Sequence, residues 1–143
     1  MTVKAILSSK RGDVITIEPT ATLSSAIKTL GEHRIGALIV IGPDKHVAGI
    51  VSERDIVRSL AERGPSVLAE QVGQVMTRKV VTCNEADTVS DIMGRMTAGK
   101  FRHVPVVDRG RLIGIVSIGD VVKYRLEEVE RESSALREYI LTA

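Results

Sequence analysis

The sequence Ser-x-x-Asp occurs twice in the chain, from Ser52 to Asp55 and from Ser117 to Asp120. A serine that begins a helix and an acid three residues later can form a capping box, which satisfies backbone N–H groups and needs no ligand. The same positions lie at a helix N-terminus, where the helix dipole and the free N–H groups attract anions. The spacing therefore leaves two interpretations open, a pair of helix caps or a pair of ligand contacts.

The other reactive side chains show no spacing typical of catalysis or metal binding. His33, His46 and His103 are far apart in the sequence, without metal-ligand spacing. Cys83 has no His or Asp partner at a motif-like distance, and we expect it to be a small buried residue on a strand. The Walker pattern and Gly-x-Gly-x-x-Gly are both missing from the sequence. We therefore expect no catalytic residues and no metal site.

The two Ser-x-x-Asp motifs belong to an internal duplication. Thr22 and Thr88, 66 positions apart, are good N-cap residues, and each precedes a helical run of apolar side chains. Gly49 and Gly114, 65 positions apart, each begin the sequence Gly-Ile-Val-Ser that leads into a motif. Such a long match predicts two copies of one unit. The apolar helix positions that align are Leu23, Ala26, Ile27 and Leu30 with Val89, Ile92, Met93 and Met96.

Each copy is predicted to be an α/β unit with the order short helix, strand, helix, strand, turn, strand, helix. The strands are nearly continuous apolar runs, so we expect them to be buried on both faces or between the copies. Gly42–Lys45 and Asp108–Gly110 have the composition of hairpin turns, and Gly64–Ser66 is expected to link the copies. The predicted strands are Val14–Ile17, Ala37–Ile41, Val47–Val51, Val80–Cys83, His103–Val107 and Arg111–Val116.

This pattern resembles a tandem pair of CBS domains, also called a Bateman module. The segments that carry the resemblance are Gly49–Asp55, Gly114–Asp120 and Phe101–Asp108. The resemblance covers nearly the whole chain and implies a stand-alone regulatory module rather than an enzyme. Its fold would be α/β (α+β), with two pseudo-symmetric repeats that each pack a small β-sheet against two helices. The expected boundaries are 1–65 for the first repeat, 66–127 for the second and 128–143 for a C-terminal helical extension.

The resemblance also implies a ligand that contains adenosine: AMP, ADP, ATP, NAD or S-adenosylmethionine, with AMP expected first. In that family the Asp of the motif accepts hydrogen bonds from the ribose hydroxyls, and the Ser and the helix N-terminus lie near phosphate. This chemistry is reasonable, because a carboxylate suits a vicinal diol and a helix N-terminus suits an anion. The occurrence of the motif at two equivalent junctions favours ligand contact over capping alone.

Each cleft would take the motif from one copy and the strand-one and strand-two region from the other. The first cleft is expected to bind phosphate through Arg54, Arg102 and His103, and to prefer AMP. The second is expected to be roomier and less positive and to take a larger ligand such as NAD, or to stay empty. The first cleft would comprise Ser52, Arg54, Asp55, Lys79, Val80, Val81, Phe101, Arg102 and His103. The second would comprise Ser117, Asp120, Lys10, Gly12, Asp13, Val14, Ile35, Gly36 and Ala37.

Composition and charge restrict the classes of partner. The net charge is +2, no basic block occurs, and aromatic residues make up 2% of the chain, which argues against nucleic-acid binding. No apolar run approaches the ~20 residues that span a bilayer. The charges at Lys4, Lys10, Arg11 and Asp13 interrupt any signal peptide, and one cysteine suits a reducing compartment, so we expect a cytoplasmic protein.

The segment 120–141 is predicted to form one long helix whose apolar stripe contacts a partner subunit. The expected assembly is a homodimer in which four repeats form a disc, as the resemblance implies. Ligand binding would change the orientation of units or subunits, and a protein target, not identified by the sequence, would respond. Two competing functions stay open: a weak nucleotide-processing enzyme that uses Asp55 and His103, and a nucleic-acid-binding or interaction scaffold.

Overall fold

Two units of the same architecture follow each other along the chain in the computed structural model, which describes residues 1–10 and 14–142. The architecture is the α/β class that the periodicity predicts. The helices are α1 Val3–Ser9, α2 Leu23–His33, α3 Glu53–Arg63, α4 Val72–Val75, α5 Val89–Gly99 and α6 Ile118–Thr142. The strands are β1 Thr16–Ile17, β2 Ala37–Ile41, β3 Val47–Ser52, β4 His103–Asp108 and β5 Arg111–Ser117.

Each unit is built on an antiparallel hairpin. In the first unit β2 pairs with β3, and the short β1 adds a parallel strand on the other side of β2. In the second unit β4 pairs with β5. Residues Ala37–Val40 and Val104–Val106 are buried, as expected for apolar runs without alternation. The β4–β5 turn has two central residues with positive φ, Arg109 at 53° and Gly110 at 81°, which is the backbone of a type I′ hairpin turn.

The first strand of each unit is shorter than the sequence predicts. The predicted strand Val14–Ile17 is reduced to β1, Thr16–Ile17. The predicted strand Val80–Cys83 is wrong, because a parallel bridge between Cys83 and Val106 stands in its place. A physical reason is Pro105, which occupies the position of Ile39 in the duplication and has no N–H to donate to a neighbouring strand. The extended residues before Cys83 are thereby left beside the cleft between the units.

Local capping sets the ends of the helices that the repeat predicts. Thr22 Oγ1 accepts a hydrogen bond from the Ser25 N–H at 3.1 Å, and Thr88 Oγ1 accepts one from the Asp91 N–H at 3.0 Å. Helix α3 ends at Gly64, whose φ of 74° favours glycine. The linker region continues as a 3₁₀ helix over Pro65–Ala69.

The two units exchange their first helices. Val3 and Ile6 of α1 are fully buried in the second core, with α5, β4, β5 and the start of α6. Val72 of α4 is fully buried in the first core, with α2, β2, β3 and α3. Backbone hydrogen bonds fix both exchanges, including the Val3 N–H to the Asp87 carbonyl at 2.9 Å. Each core is therefore completed by a helix from the other copy in the sequence.

Candidate functional site

A cleft of about 470 Å³ lies between the two units, where the end of β3 and the start of α3 face the second unit. Its walls come from three places in the chain: the Ser-x-x-Asp junction of the first unit, the segment after α4, and the residues that lead into β4. Its lining residues are Gly36, Ala37, Ile50, Ser52, Glu53, Arg54, Asp55, Thr77, Lys79, Val80, Val81, Gly99, Lys100, Phe101, Arg102 and His103.

Ser52 and Asp55 form a complete capping box at the start of α3. The Asp55 N–H donates to Ser52 Oγ at 3.2 Å, and the Ser52 N–H donates to Asp55 Oδ2 at 2.9 Å. The other carboxylate oxygen, Oδ1, accepts a longer hydrogen bond of 3.3 Å from Thr77 Oγ1 across the cleft. The capping interpretation is therefore correct for this motif. It leaves Oδ1 at the cleft with capacity for a further donor, since a carboxylate oxygen can accept more than one hydrogen bond.

Four cationic side chains line the cleft, namely those of Arg54, Lys79, Lys100 and Arg102, against the two carboxylates of Glu53 and Asp55. All four cationic residues are exposed, and within residues 1–10 and 14–142 none of them forms an ion pair. An anion in the cleft would therefore not have to break an existing salt bridge with a described carboxylate to reach them.

His103 differs from these cations. Burial, and then the positive charge of Lys10, lower the pKa of the imidazole below its ordinary value of 6.5. The ring is therefore neutral near pH 7 and does not add positive charge to the cleft. Gly36 lies beside it, since a Cβ atom at that position would be 3.9 Å from His103 Cε1. The neutral ring can contact a ligand by packing or by a hydrogen bond rather than by ionic attraction.

Three apolar side chains form an apolar wall of the cleft. Val80 is half-buried and Val81 is exposed. The Phe101 ring packs against the second core and lies directly against Gly99, so that any side chain at position 99 would collide with it. Together the three side chains provide apolar surface for a purine ring, and the Ser-x-x-Asp junction at the start of α3 provides hydrogen-bonding groups.

The second Ser-x-x-Asp motif has the same cap but a different environment. The Ser117 N–H donates to Asp120 Oδ2 at 2.9 Å, and the Asp120 N–H donates to Ser117 Oγ at 3.2 Å. In addition, Lys10 Nζ donates to Asp120 Oδ2 at 2.8 Å and to the Ile115 carbonyl at 2.9 Å. Burial alone would raise the pKa of Asp120, but the hydrogen bonds from Lys10 and Ser117 outweigh it and hold this pKa below its ordinary value.

The two motifs differ in the group that donates a hydrogen bond near the end of the preceding strand, which is β3 in the first unit and β5 in the second. At Ile50 the Thr77 N–H donates to the carbonyl at 2.8 Å. At the equivalent Ile115, 65 positions later, the side chain of Lys10 donates to the carbonyl instead. The ammonium group of Lys10 thereby also neutralises Asp120, whereas Asp55 has no such counterion among the described residues.

The residues expected in the first cleft lie together, and those expected in the second are only partly described. All nine expected in the first cleft line it. Gly36 and Ala37, expected in the second, also line the first, because Ala37 pairs with Ser52 and the Gly36 carbonyl accepts from the Glu53 N–H. Lys10, Ser117 and Asp120 lie together, while Val14 and Ile35 are half-buried. Gly12 and Asp13 lie outside the described residues.

Sequence reasoning missed five residues that line the cleft: Ile50, Glu53, Thr77, Gly99 and Lys100. Glu53 and Lys100 are adjacent in sequence to residues that were expected in the cleft, so this adjacency could have identified them. Thr77 and Ile50 meet through hydrogen bonds between the exchanged helix segment and β3, and no local pattern indicates that contact.

The remaining reactive groups are the thiol of Cys83 and the potential metal-ligating side chains. Cys83 is buried, and burial followed by the charge of Asp87 raises the pKa of its thiol to about 11, so the thiol is protonated at neutral pH. Across residues 1–10 and 14–142, no group of three His, Cys, Asp or Glu side chains is arranged to hold a metal ion. Over the same residues, no helix is both long and apolar enough to cross a membrane.

Comparison with solved structures gives close matches over most of the chain. The CBS-domain containing protein ATU1752 from Agrobacterium tumefaciens is 46% identical, with a TM-score of 0.82 over 87% of this chain and 92% of that one. CBSX2 in complex with AMP is 28% identical, with a TM-score of 0.75 over 88% and 96%. The CBS domain pair of MJ0100, in complex with 5-methylthioadenosine and S-adenosyl-L-methionine, is 27% identical, with a TM-score of 0.78 over 90% and 98%.

Comparison with curated proteins and family models gives the same relationship. The mitochondrial CBS domain-containing protein CBSX3 of Arabidopsis thaliana is 37% identical over 83% of this chain, which spans 60% of the length of that relative. The model of the CBS domain matches residues 3–62 and again residues 72–127. The two matches coincide with the two copies that the sequence repeat indicates. The chain therefore belongs to the CBS-domain family and contains a tandem pair of CBS domains.

Proposed function

We propose that this chain is a regulatory module that binds an adenosine nucleotide, in the first instance AMP, in the cleft between its two CBS domains. The observation that carries the proposal is the arrangement of Asp55: its Oδ1 lies at a cleft that also holds four cationic side chains outside any described ion pair and an apolar wall. The related CBSX2 was crystallised in complex with AMP, which supports an adenosine ligand.

Each part of AMP has a matching surface. The adenine ring would lie against Val81 and Phe101, where apolar contact is available. The ribose hydroxyls would donate to Asp55 Oδ1. The phosphate would lie at the N-terminus of α3, near Arg54 and Arg102, where the helix dipole and the guanidinium groups attract an anion. The cleft volume of about 470 Å³ is within the range of small-ligand sites, which is roughly 300–1,000 Å³.

The signal would be a change in the relative position of the two domains. A ligand in this cleft touches both domains, so it favours the arrangement in which both surfaces contact it, and the shift is limited by its differential affinity. A protein target would respond to that arrangement. NAD as a further ligand, the homodimer of four repeats in a disc and the cytoplasmic location remain predictions.

The test is a binding titration of the purified chain with AMP, ADP, ATP, NAD, NADH and S-adenosylmethionine by calorimetry, followed by chromatography of each nucleotide. We expect AMP to bind and to be recovered intact. Binding by none of the six would contradict the proposal. Conversion of a nucleotide would support the competing enzymatic function instead.

A variant with a matched control locates the site. Asp55→Asn keeps the shape of the side chain but removes the charge that accepts the ribose hydroxyls, so AMP affinity should fall about tenfold or more. Asp91→Asn is the control, because Asp91 completes the same capping box on α5 and does not line the cleft. Equal AMP affinity for the wild type and Asp55→Asn would refute the assignment of Asp55.

A further inference from the structure

The imidazole of His103 lines the cleft close to the start of α3. A Cβ atom at Gly36 would be 3.9 Å from His103 Cε1, and the Gly36 carbonyl accepts a hydrogen bond of 3.0 Å from the Glu53 N–H. Glu53 is the first residue of α3. The ring is therefore near the helix N-terminus at which the phosphate of the proposed nucleotide would lie.

The backbone of His103 is tied to the second Ser-x-x-Asp motif. His103 pairs with Ser117 in the β4–β5 register, which puts the two side chains on the same face of the hairpin. The Arg102 carbonyl accepts a hydrogen bond of 2.8 Å from the N–H of Ile118, the first residue of α6. His103 is thereby held between two helix N-termini, one from each unit.

Burial and positive charge keep the imidazole neutral near pH 7. Burial is the largest cause that lowers the pKa of His103, followed by the ammonium group of Lys10, and Arg102 lowers it further. The carboxylates of Asp120 on α6 and Glu53 on α3 act in the opposite direction and are outweighed. The N-terminal ends of both helices also carry partial positive charge. An anion at the start of α3 would add negative charge beside the ring and raise its pKa.

The titratable ring is present in one copy of the repeat only. The residue equivalent to His103, 66 positions earlier, is Ala37. Ala37 pairs with Ser52 at the end of β3, which repeats the pairing of His103 at the end of β5. Ala37 is 4% exposed, so the first unit buries a methyl group where the second unit has an imidazole. The variant His103→Ala would therefore give the second unit the side chain that the first already carries.

We propose that nucleotide binding in the cleft is coupled to the uptake of a proton from solvent by the imidazole of His103. The inference rests on the proposed function, since it needs an anionic ligand at the start of α3. The proton binds the unprotonated ring nitrogen, and the imidazolium then attracts the phosphate. Ligand and proton favour each other's binding, so affinity rises as the pH falls through the pKa of the nucleotide-bound ring. The module would thus respond to acidification as well as to nucleotide.

Calorimetry of AMP binding in buffers with different enthalpies of ionisation measures the number of protons taken up. The phosphate of AMP itself titrates near about pH 6, so wild type and variant are compared at each pH. His103→Gln keeps hydrogen-bonding groups but cannot take up a proton. We expect greater proton uptake by the wild type, and a rise of roughly threefold or more in its AMP affinity relative to His103→Gln from about pH 7.5 to about pH 5.5. His33→Gln is the control, because His33 is exposed and does not line the cleft.

Nuclear magnetic resonance of the imidazole protons follows the ring itself. Saturation with AMP should move the midpoint of the His103 titration to higher pH and leave that of His33 in place. His103→Ala should match His103→Gln in proton uptake, which keeps the test valid if glutamine disturbs the cleft. Equal proton uptake by the wild type and both variants, or an unmoved His103 midpoint, would overturn this inference and leave AMP binding intact. A wild type that binds no AMP would overturn both proposals.

Discussion

Asp55 and Asp120 occupy equivalent positions with the same cap geometry, yet their electrostatic environments differ. The hydrogen bonds to Ser52 and Ser117 have the same lengths, 2.9 and 3.2 Å, on the two sides. The difference is Lys10, which lies 2.8 Å from Asp120. Lys10 contacts the capping oxygen Oδ2, so it lowers the negative charge that a donor to Oδ1 of Asp120 would meet. At the scale of single residues, one motif carboxylate is therefore paired with a lysine, and the other has no counterion among the described residues.

Replacement of Lys10 should open the second motif. Lys10→Met removes the ammonium group but keeps most of the side-chain length, so Asp120 loses its counterion and the Ile115 carbonyl loses the donor that Lys10 provides. We expect calorimetry to show one AMP per chain for the wild type and a second, weaker AMP for the variant. Lys4→Met is the control, because Lys4 is an exposed lysine of α1, the helix that directly precedes Lys10. Two sites in the wild type, or one site in both proteins, would contradict this expectation.

The same variant has a pH-dependent effect on stability. The pKa of Asp120 is held below 3.8 in the folded chain, so the ion pair stabilises the fold at pH values above 3.8 and this contribution is lost as the pH falls through the folded pKa. Wild type and Lys10→Met should therefore differ in free energy of unfolding near neutral pH, by less than about 1 kcal/mol for this partly exposed pair. The difference should disappear in strong acid, as measured by urea unfolding, and a constant difference at all pH values would contradict the assignment.

At the scale of elements, the contact between β3 and the segment after α4 depends on glycine. A Cβ atom at Gly49 would lie 2.6 Å from Met76 Sδ and 2.7 Å from the Thr77 carbonyl oxygen. Gly114 has the equivalent relation to Leu7, at 2.6 Å from Cδ2. A side chain at Gly49 would therefore have to displace the backbone at Thr77, whereas one at Gly114 would have to displace the end of the Leu7 side chain.

Gly49→Ala should destabilise the chain by about 1–3 kcal/mol, because the segment that carries Thr77 has to move away from β3. Gly94→Ala is the matched control, since Gly94 lies within α5 and has nothing within 4 Å of its Cβ position. That control should stabilise the chain by roughly 0.5–1 kcal/mol, because alanine favours a helix interior. Chemical denaturation monitored by circular dichroism measures both. Equal stability of wild type and Gly49→Ala would contradict the close contact.

At the scale of the whole molecule, the exchanged helices make each core depend on both copies of the sequence. Val3 belongs to the first copy and is fully buried in the second core, while Val72 belongs to the second copy and is fully buried in the first core. The two domains are therefore connected by packing as well as by the linker. A ligand held between them acts on units that already share structural elements.

Two matched substitutions test the exchange. Val3→Ala and Val72→Ala each remove two buried methyl groups and should each cost on the order of 2 kcal/mol. Hydrogen exchange should then show lower protection in β4 and β5 for Val3→Ala, and in β2 and β3 for Val72→Ala, because opening is local to each cooperative unit. Loss of protection in the opposite strands would mean that the helices pack on their own copies.

The features that depend on nearby residues were determined by the sequence itself. The duplication predicted two units, the turn residues predicted both hairpins, and the apolar periodicity predicted α2, α5 and the long α6. Helix spacing, capping and turn geometry are local properties, because they follow from backbone and side-chain preferences over a few residues. The nine residues expected in the first cleft were identified through the family resemblance, and the structure brings them together.

Contacts between distant parts of the chain were decided by the tertiary structure alone. The exchange of α1 and α4, the meeting of Thr77 with Ile50 and the hydrogen bonds of Lys10 to Asp120 join residues that no local pattern connects. The family resemblance implied two clefts that differ in size and charge, whereas the pairing of Lys10 with Asp120 is visible only in the structure. The reason is physical: repeated sequence specifies repeated elements, but the charge beside each carboxylate depends on which segment packs there.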